Sequence, residues 1–127
     1  MIKGIGNDII QIERIGRMLE SASAKRFIER VLTPAERKLA EERKARLAEF
    51  VAGRFAVKEA VVKALGCGIG AIVGFQDMEI TPDELGKPHC MLSDACVARL
   101  GLTEGFRVHV SISHSEGLAA AFAVVEN

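Results

Sequence analysis

Four charged side chains interrupt the apolar segment GRFAVKEAVVKALGCG, residues 53–68: Arg54, Lys58, Glu59 and Lys63. On a helical projection the bulky apolar residues form one broad arc, and most other positions are alanine or glycine, so this helix is predicted to be buried nearly all round. Arg54 and Lys58 lie one turn apart within the bulky arc. Because an isolated buried charge is costly unless it is paired or bound by a ligand, we expect an anionic partner nearby.

Glu59 and Lys63 are four residues apart, and this spacing allows two interpretations. They could form a supporting ion pair worth ~0.2–0.5 kcal/mol, with the glutamate on the favourable N-terminal side. They could equally belong to an active site, because structural ion-pair networks and active sites contain the same residue types. The segment alone does not choose between the two.

Asp8, in the stretch GNDII, lies at the end of a predicted strand. A carboxylate at the end of a strand can converge with one on a neighbouring helix. Two carboxylates with nearby lysines suit Mg²⁺, which prefers oxygen ligands and completes its shell with water and substrate phosphates. Arg54 and the lysines would then hold the remaining phosphate charge. Taken alone, Asp8 could instead cap the helix that IIQIERI begins.

The three histidines give a weaker signal. His114 lies in SISHSEG, a strand running into a turn, and could be a metal ligand, a base, a phosphate donor or an exposed turn residue. His89 and His109 are expected at the surface or half-buried. Zinc is disfavoured, because the histidines show neither HxxxH nor cysteine-supported spacing.

Composition narrows the class of protein. The 127 residues suit a single domain, 1–127, and the 49% of apolar residues exclude disorder. Lys plus Arg and Asp plus Glu are 17 each, so the chain has no formal net charge. No overall electrostatic attraction to nucleic acid or to an anionic membrane is therefore expected. The odd number of cysteines without CxxC spacing fits a reducing cytosol. With no signal-peptide pattern and no apolar run near ~18 residues, the protein is expected to be soluble and cytoplasmic.

The hydrophobic pattern predicts an α+β fold, with an antiparallel sheet packed against a long helix. The first strand is expected in MIKGIGNDII, ending near Asp8, where its glycines would let another backbone approach closely. A terminal hairpin is predicted around HSEG, and a second hairpin within FQDMEITPDELGKPHCML. A short helix should run from the cap at Ser93 to Leu100.

Local sequence patterns also predict the helices that precede the long one. An amphipathic helix is expected from Gln11, and another follows the break at SASA. In TPAE, Thr33 and Glu36 have capping-box spacing, so a helix should begin at residue 34. It could run to Leu65, with Gly66 as a left-handed stop, unless the polar run EERKAR interrupts it.

Three separated stretches, GIGNDIIQIERI, GRFAVKEAVVKALGCGIG and VSISHSEGLAAAFAV, resemble the holo-acyl-carrier-protein synthases, the small bacterial type of 4′-phosphopantetheinyl transferase. The similarity extends in order through KRFIERVLT, FQDMEI and GKP. The resemblance implies the 4′-phosphopantetheinyl transferase fold and Mg²⁺-dependent transfer of 4′-phosphopantetheine from coenzyme A to a serine of apo acyl carrier protein, releasing adenosine 3′,5′-bisphosphate. It implies a role in fatty acid biosynthesis. It also implies a homotrimer with active sites between subunits, which the small-residue helix face would suit.

The resemblance assigns roles to individual residues. It implies that Asp8 and Glu59 bind the metal and that Lys63 assists the pyrophosphate leaving group. The base for the attacking serine is Glu59 or a Mg²⁺-bound water deprotonated with its help. The implied coenzyme-binding residues are Arg54, Lys58, Gly66 and His114. The implied docking residues for an acidic carrier helix are Arg14, Met18, Arg26, Phe27 and Arg30, which could otherwise form an ordinary solvated helix face.

Three other functions compete with this interpretation. A non-catalytic nucleotide- or coenzyme-binding module would use Arg54, Lys58 and Lys63 to hold phosphates without transfer. A coenzyme-A-dependent acetyltransferase would not require paired carboxylates. A purely structural protein would leave the buried charges unexplained.

Overall fold

Strand β1 (Ile2–Gln11) and helix α4 (Leu47–Leu65) form the centre of the fold in the computed structural model, which describes residues 1–127. The other elements, in chain order, are α1 (Ile12–Glu20), α2 (Ala24–Val31), α3 (Pro34–Ala40), β2 (Met78–Pro82), β3 (Pro88–Leu92), α5 (Asp94–Leu100), β4 (Arg107–Ser115) and β5 (Leu118–Glu126). Antiparallel strands in the order β1-β5-β4 make the main sheet, and β2 and β3 make a separate hairpin. The predicted α+β class, with an antiparallel sheet packed on a long helix, is confirmed.

Two glycines allow α4 to lie directly on β1. A Cβ atom at Gly4 would lie 1.9 Å from the Ala64 carbonyl oxygen, and one at Gly6 would lie 2.0 Å from that of Ala60. No side chain fits in that space, so the expectation of close backbone approach at these glycines is confirmed. The alanines of α4 consequently contact the protomer's own sheet, and the idea that this helix face serves subunit contacts is wrong.

Helix α4 is buried on almost every side, as its pattern predicts. Both Arg54 and Lys58 are buried. Lys63 is the exception, because about half of its side chain is exposed at the end of the helix (52%). The helix ends at Gly66, whose φ of 82° is the predicted left-handed stop.

The long helical stretch from residue 34 is not continuous. Helix α3 ends at Ala40, a short 3-10 turn spans Lys44–Arg46, and α4 begins at Leu47. The polar run EERKAR therefore marks a break between two helices. The capping box at the start of α3 is present: the Thr33 side chain accepts from the Glu36 backbone N–H, and the Glu36 carboxylate accepts from that of Thr33.

Strand β1 continues past Asp8 to Gln11, which is the N-terminal cap residue of α1 and makes no side-chain capping bond. Asp8 is therefore not a helix cap, and its carboxylate is available for another role. At the other end of the chain, β4 and β5 join through Glu116 and Gly117, both with positive φ (49° and 78°). None of the helices is long and apolar enough to cross a membrane.

Candidate functional site

A carboxylate pair and a lysine meet where β1 lies on α4. The Lys63 ammonium donates to Asp8 Oδ1 at 3.1 Å and to the Asn7 carbonyl at 2.9 Å. Lys63 therefore pairs with Asp8 and not with Glu59, its neighbour one turn away on the helix. The Gly4 and Gly6 contacts cause this convergence, since they bring the strand close enough for Asp8 to reach side chains of α4.

The charge state of Glu59 responds to this environment. Partial burial raises the pKa of Glu59 above its usual value, the negative charge of Asp8 raises it further, and Lys63 partly offsets both effects. The two carboxylates are therefore close enough to repel one another. A cation between them would relieve that repulsion and hold Glu59 in its ionised form.

Asp8, Glu59 and Lys63 form what we call the β1–α4 seam, and its donor set fits magnesium. Asp8 and Glu59 supply hard carboxylate oxygens, and Mg²⁺ is often held by one or two carboxylates with water and substrate phosphates in its other positions. The chain contains no group of three or more His, Cys, Asp and Glu side chains that could hold a metal ion. Any metal at this seam would have two carboxylate ligands from one protomer.

A separate basic pocket opens at the first half of α4. Its cavity has a volume of about 340 Å³. The lining residues are Arg43, Arg46, Glu49, Phe50, Arg54, Pro82, Gly86, Pro88, Ile112 and His114. Three arginines and a histidine with one acidic side chain make this a cavity for an anionic group.

Arg54 lies in this pocket with an unmet hydrogen-bonding group. Its guanidinium stacks on the Phe50 ring, with Cζ 4.4 Å from the ring centroid. Its Nε is buried and has no hydrogen-bond partner. Burial lowers the pKa of Arg54, while Glu36 opposes and Arg43 adds to that effect. A buried donor without an acceptor is costly, and a bound phosphate oxygen would supply the acceptor.

His114 reaches the same pocket because a glycine lies opposite it. A Cβ atom at Gly53 would lie only 2.9 Å from His114 Nε2. The missing side chain at this position of α4 therefore makes room for the imidazole. The structure thus places Arg54 and His114 in the lining of one pocket, where both can contact the same anion.

Lys58 does not reach either site. Its side chain is fully buried (0% exposed), and its ammonium donates to Glu36 Oε1 at 2.6 Å, to the Val31 carbonyl at 2.7 Å and to the Phe75 carbonyl at 3.1 Å. All three donors of the ammonium are used. The prediction that Lys58 binds the coenzyme is wrong in this structure, because its charge is neutralised by Glu36 inside the protomer.

The carboxylate pair and the basic pocket face different sides of α4. Glu59 follows Arg54 by five residues, which is about 140° around the helix and about 7.5 Å along it. In the sheet, Asp8 is opposite Ala121, which is opposite Ile112 of the pocket wall, so β5 separates them by about 10 Å. One protomer therefore does not bring all the predicted site residues into one cavity. Gly66 is exposed beyond Lys63, at the carboxylate end of the helix.

The predicted docking residues lie together on α1 and α2. Arg14, Arg26 and Arg30 are exposed, whereas Phe27 is half-buried. A small cavity of about 130 Å³ lies between these helices and α4, and its lining residues are Ile10, Arg14, Ile15, Met18, Phe27 and Phe55. Phe27 stacks on Phe55 with ring centroids 6.2 Å apart. The surface thus combines exposed arginines with an apolar recess one turn of α4 before Glu59.

Sequence reasoning missed several residues around these sites. Arg43 and Arg46 line the basic pocket, but the sequence indicated only that their polar run, EERKAR, could interrupt the helix. Glu36 showed only its capping-box spacing, although its carboxylate also neutralises Lys58. The one available signal was that EERKAR holds three basic side chains and two acidic ones directly before a helix predicted to bury an arginine.

The sequence matches a known protein family over nearly its whole length. The family model of the 4′-phosphopantetheinyl transferase superfamily matches residues 4–123. The chain is 50% identical over 127 residues to a holo-[acyl-carrier-protein] synthase of Geobacillus kaustophilus, covering 99% of this chain and 90% of that protein. It is 49% identical over 128 residues to one of Bacillus cereus, covering 100% and 98%.

Solved structures give the same result. A holo-(acyl-carrier-protein) synthase from Bacillus anthracis in complex with CoA (3′,5′-ADP) superposes with a TM-score of 0.85 at 48% identity, covering 100% of this chain and 98% of that chain. The Helicobacter pylori enzyme in complex with coenzyme A gives a TM-score of 0.84 at 34% identity, covering 96% and 99%. The chain therefore resembles these synthases in both sequence and fold.

Proposed function

Since the chain belongs to the 4′-phosphopantetheinyl transferase superfamily, we propose that it transfers 4′-phosphopantetheine from coenzyme A to a serine of an apo acyl carrier protein. The observation that carries this proposal is the meeting of Asp8, Glu59 and Lys63 where β1 lies on α4. The reaction breaks the diphosphate of coenzyme A, so it needs groups that bind a diphosphate and a group that accepts the serine proton. The lysine, together with a cation held by the two carboxylates, would bind the diphosphate, and a carboxylate can accept the proton.

Each residue at the seam has a chemical task in this proposal. Asp8 and Glu59 would hold Mg²⁺, which when bound would neutralise charge on the diphosphate. The Lys63 ammonium moves from Asp8 to an oxygen of the leaving phosphate, because its exposed side chain is free to turn. The Glu59 carboxylate, directly or through water, accepts the proton of the carrier serine.

The basic pocket is suited to the other end of coenzyme A. Arg54, with its unpaired buried Nε, and His114 would hold the phosphate on the ribose, with Arg43 and Arg46 contributing positive charge. Because this pocket and the carboxylate pair face different sides of α4, one coenzyme would use the pocket of one protomer and the carboxylates of another. The two halves of the site thus support an assembly with sites shared between subunits, as the expected homotrimer would have.

The outer face of the main sheet is the surface that such an assembly would use. Its large apolar side chains are exposed although they lie side by side: Ile5 66%, Ile9 62%, Leu118 40% and Phe122 56%. Contiguous exposed apolar surface of this kind marks an interaction site. Subunits of the trimer would therefore contact one another through this sheet face, and not through the alanine face of α4.

The variant Phe122→Glu is expected to dissociate the trimer, because it places a charge at the centre of the apolar sheet face. Sedimentation velocity should show protomers, and transfer activity should fall by about 100-fold or more because each site loses half of its residues. Met91→Glu is the matched control, since Met91 is an apolar residue of comparable exposure (66% against 56% for Phe122) on β3, outside the main sheet. A fully active monomeric Phe122→Glu protein would reject the shared site.

Carrier docking is assigned to the exposed arginines and the apolar recess of α1 and α2. Arg14, Arg26 and Arg30 suit an acidic helix of the carrier, while Met18 and Phe27 offer apolar contact beside them. The stacking of Phe27 on Phe55 connects this surface to α4, which carries Glu59.

Reversal of one docking charge, in Arg14→Glu or Arg26→Glu, is expected to raise the KM for the carrier about tenfold, because attraction becomes repulsion. The KM for coenzyme A should not change. Steady-state kinetics with each substrate varied in turn checks this, and Lys38→Glu, an equal reversal at an exposed residue of α3, is the control. Equal effects of the docking and control variants would show that only the net charge matters.

The transfer itself is tested by mass spectrometry of the acceptor. Purified protein incubated with coenzyme A, Mg²⁺ and apo acyl carrier protein should add one phosphopantetheine group to each carrier, and no addition should occur with EDTA. A coenzyme-binding module would bind coenzyme A without changing the mass of the carrier. Transfer in the cell would supply holo carrier protein for fatty acid biosynthesis in the cytoplasm, a reducing compartment compatible with three free cysteines.

A further inference from the structure

Helix α2 is held at its C-terminal end by side chains from three other parts of the chain. The carbonyl groups of residues 29–32 have no partner within the helix, as is usual at a helix end. The helix has no glycine cap, and its C-cap residue, Leu32, is in an extended conformation. Every one of these carbonyl oxygens nevertheless accepts a hydrogen bond from a side chain.

Gln76 makes three of these six contacts. Its Nε2 group lies 3.0 Å from the Glu29 carbonyl oxygen, 3.1 Å from that of Arg30 and 2.8 Å from that of Leu32. The two hydrogens of one amide are therefore shared among three acceptors. The remaining bonds come from Arg37, to Leu32 at 2.8 Å and to Glu29 at 3.4 Å, and from the buried Lys58, to Val31.

The turn that carries Gln76 is itself fixed. Asp77 accepts hydrogen bonds from the Gly74 backbone, from Ser93 Oγ and from Arg99 Nη2, all at 2.7 to 2.8 Å. The ring of Phe75 contacts the Arg30 guanidinium, with 5.6 Å from Cζ to the ring centroid. The same short turn thus holds both the backbone of α2 and one of its exposed arginines.

We propose that Gln76 is a positioning residue for carrier protein docking. Its amide fixes the end of α2 against the turn Phe75–Asp77, and so sets where Arg26, Phe27 and Arg30 lie relative to Glu59. This inference rests on the proposed function, because it requires that α2 meets the carrier. Gln76 is exposed, so its loss should change the direction of the helix without unfolding the core.

The test replaces Gln76 by methionine, which has similar length, no charge and no donor. Gln76→Met should raise the KM for the carrier about fivefold through the lost hydrogen bonds, with kcat within about twofold and the KM for coenzyme A unchanged. Amide hydrogen exchange in residues 27–32 should become faster. Gln11→Met is the matched control, since the chain's other glutamine is exposed and makes no capping bond.

The outcomes separate this inference from the function on which it rests. If the wild-type protein adds no phosphopantetheine to the carrier, the proposed function fails and this inference fails with it. If the wild type is active and Gln76→Met keeps its carrier KM, only the positioning role is rejected. A variant that loses kcat and affinity for both substrates together would show a general structural role, which also rejects it.

Discussion

The variant Glu59→Gln should transfer phosphopantetheine about 10²–10⁴-fold more slowly than the wild type, because the amide can neither accept the serine proton nor carry the charge that a Mg²⁺ ligand needs. The measurement is kcat at saturating coenzyme A and carrier protein. Mg²⁺ binding should be followed in parallel by calorimetry. Near-normal transfer with intact Mg²⁺ binding would exclude Glu59 as the essential base and leave that task to water.

The same variant should not lose stability, and this separates a catalytic role from a structural one. The folded-state pKa of Glu59 is raised, so between the unfolded and folded pKa values the folded protein binds more protons than the unfolded chain. The free energy of unfolding of the metal-free wild type therefore falls as pH rises through that window. Glutamine removes this contribution. In EDTA at neutral pH, Glu59→Gln should be at least as stable as the wild type in urea.

Features that follow from local physics could be predicted from the sequence. The close approach at Gly4 and Gly6 depends only on the absence of side chains in a strand. The burial of α4 follows from its composition, and its end at Gly66 from the conformational freedom of glycine. The cap at Thr33 likewise depends on residues three positions apart.

Features that depend on distant partners could not be predicted in this way. The residue that neutralises Lys58 is Glu36, 22 positions earlier, and the capping-box spacing of Glu36 already offered a sufficient local explanation for it. The division of the site has a similar origin. It requires both the angle between Arg54 and Glu59 on α4 and the strand order β1-β5-β4, which places Asp8 and His114 on opposite sides of β5.

The variant Lys58→Met should destabilise the fold by about 3–5 kcal/mol, because it leaves the Glu36 carboxylate buried without a countercharge. Both side chains of this pair are fully buried (0% exposed). The carbonyl oxygens of Val31 and Phe75 would also lose a donor. Against a usual total stability of about 5–15 kcal/mol this is a large loss, and urea denaturation followed by circular dichroism measures it.

The double variant Lys58→Met with Glu36→Gln distinguishes a buried ion pair from simple loss of packing. Glutamine removes the unpaired charge, although its single oxygen can accept from only one of the two backbone donors that the carboxylate serves, Thr33 at Oε1 and Ile80 at Oε2. The double variant should still be more stable than Lys58→Met alone, because an unpaired buried charge costs more than one lost hydrogen bond. Additive losses would mean that the charge of Glu36 is not the cause. At a temperature where both variants remain folded, their KM for coenzyme A should equal that of the wild type, since Lys58 supports α4 from inside the protomer and its ammonium has no donor left for a ligand.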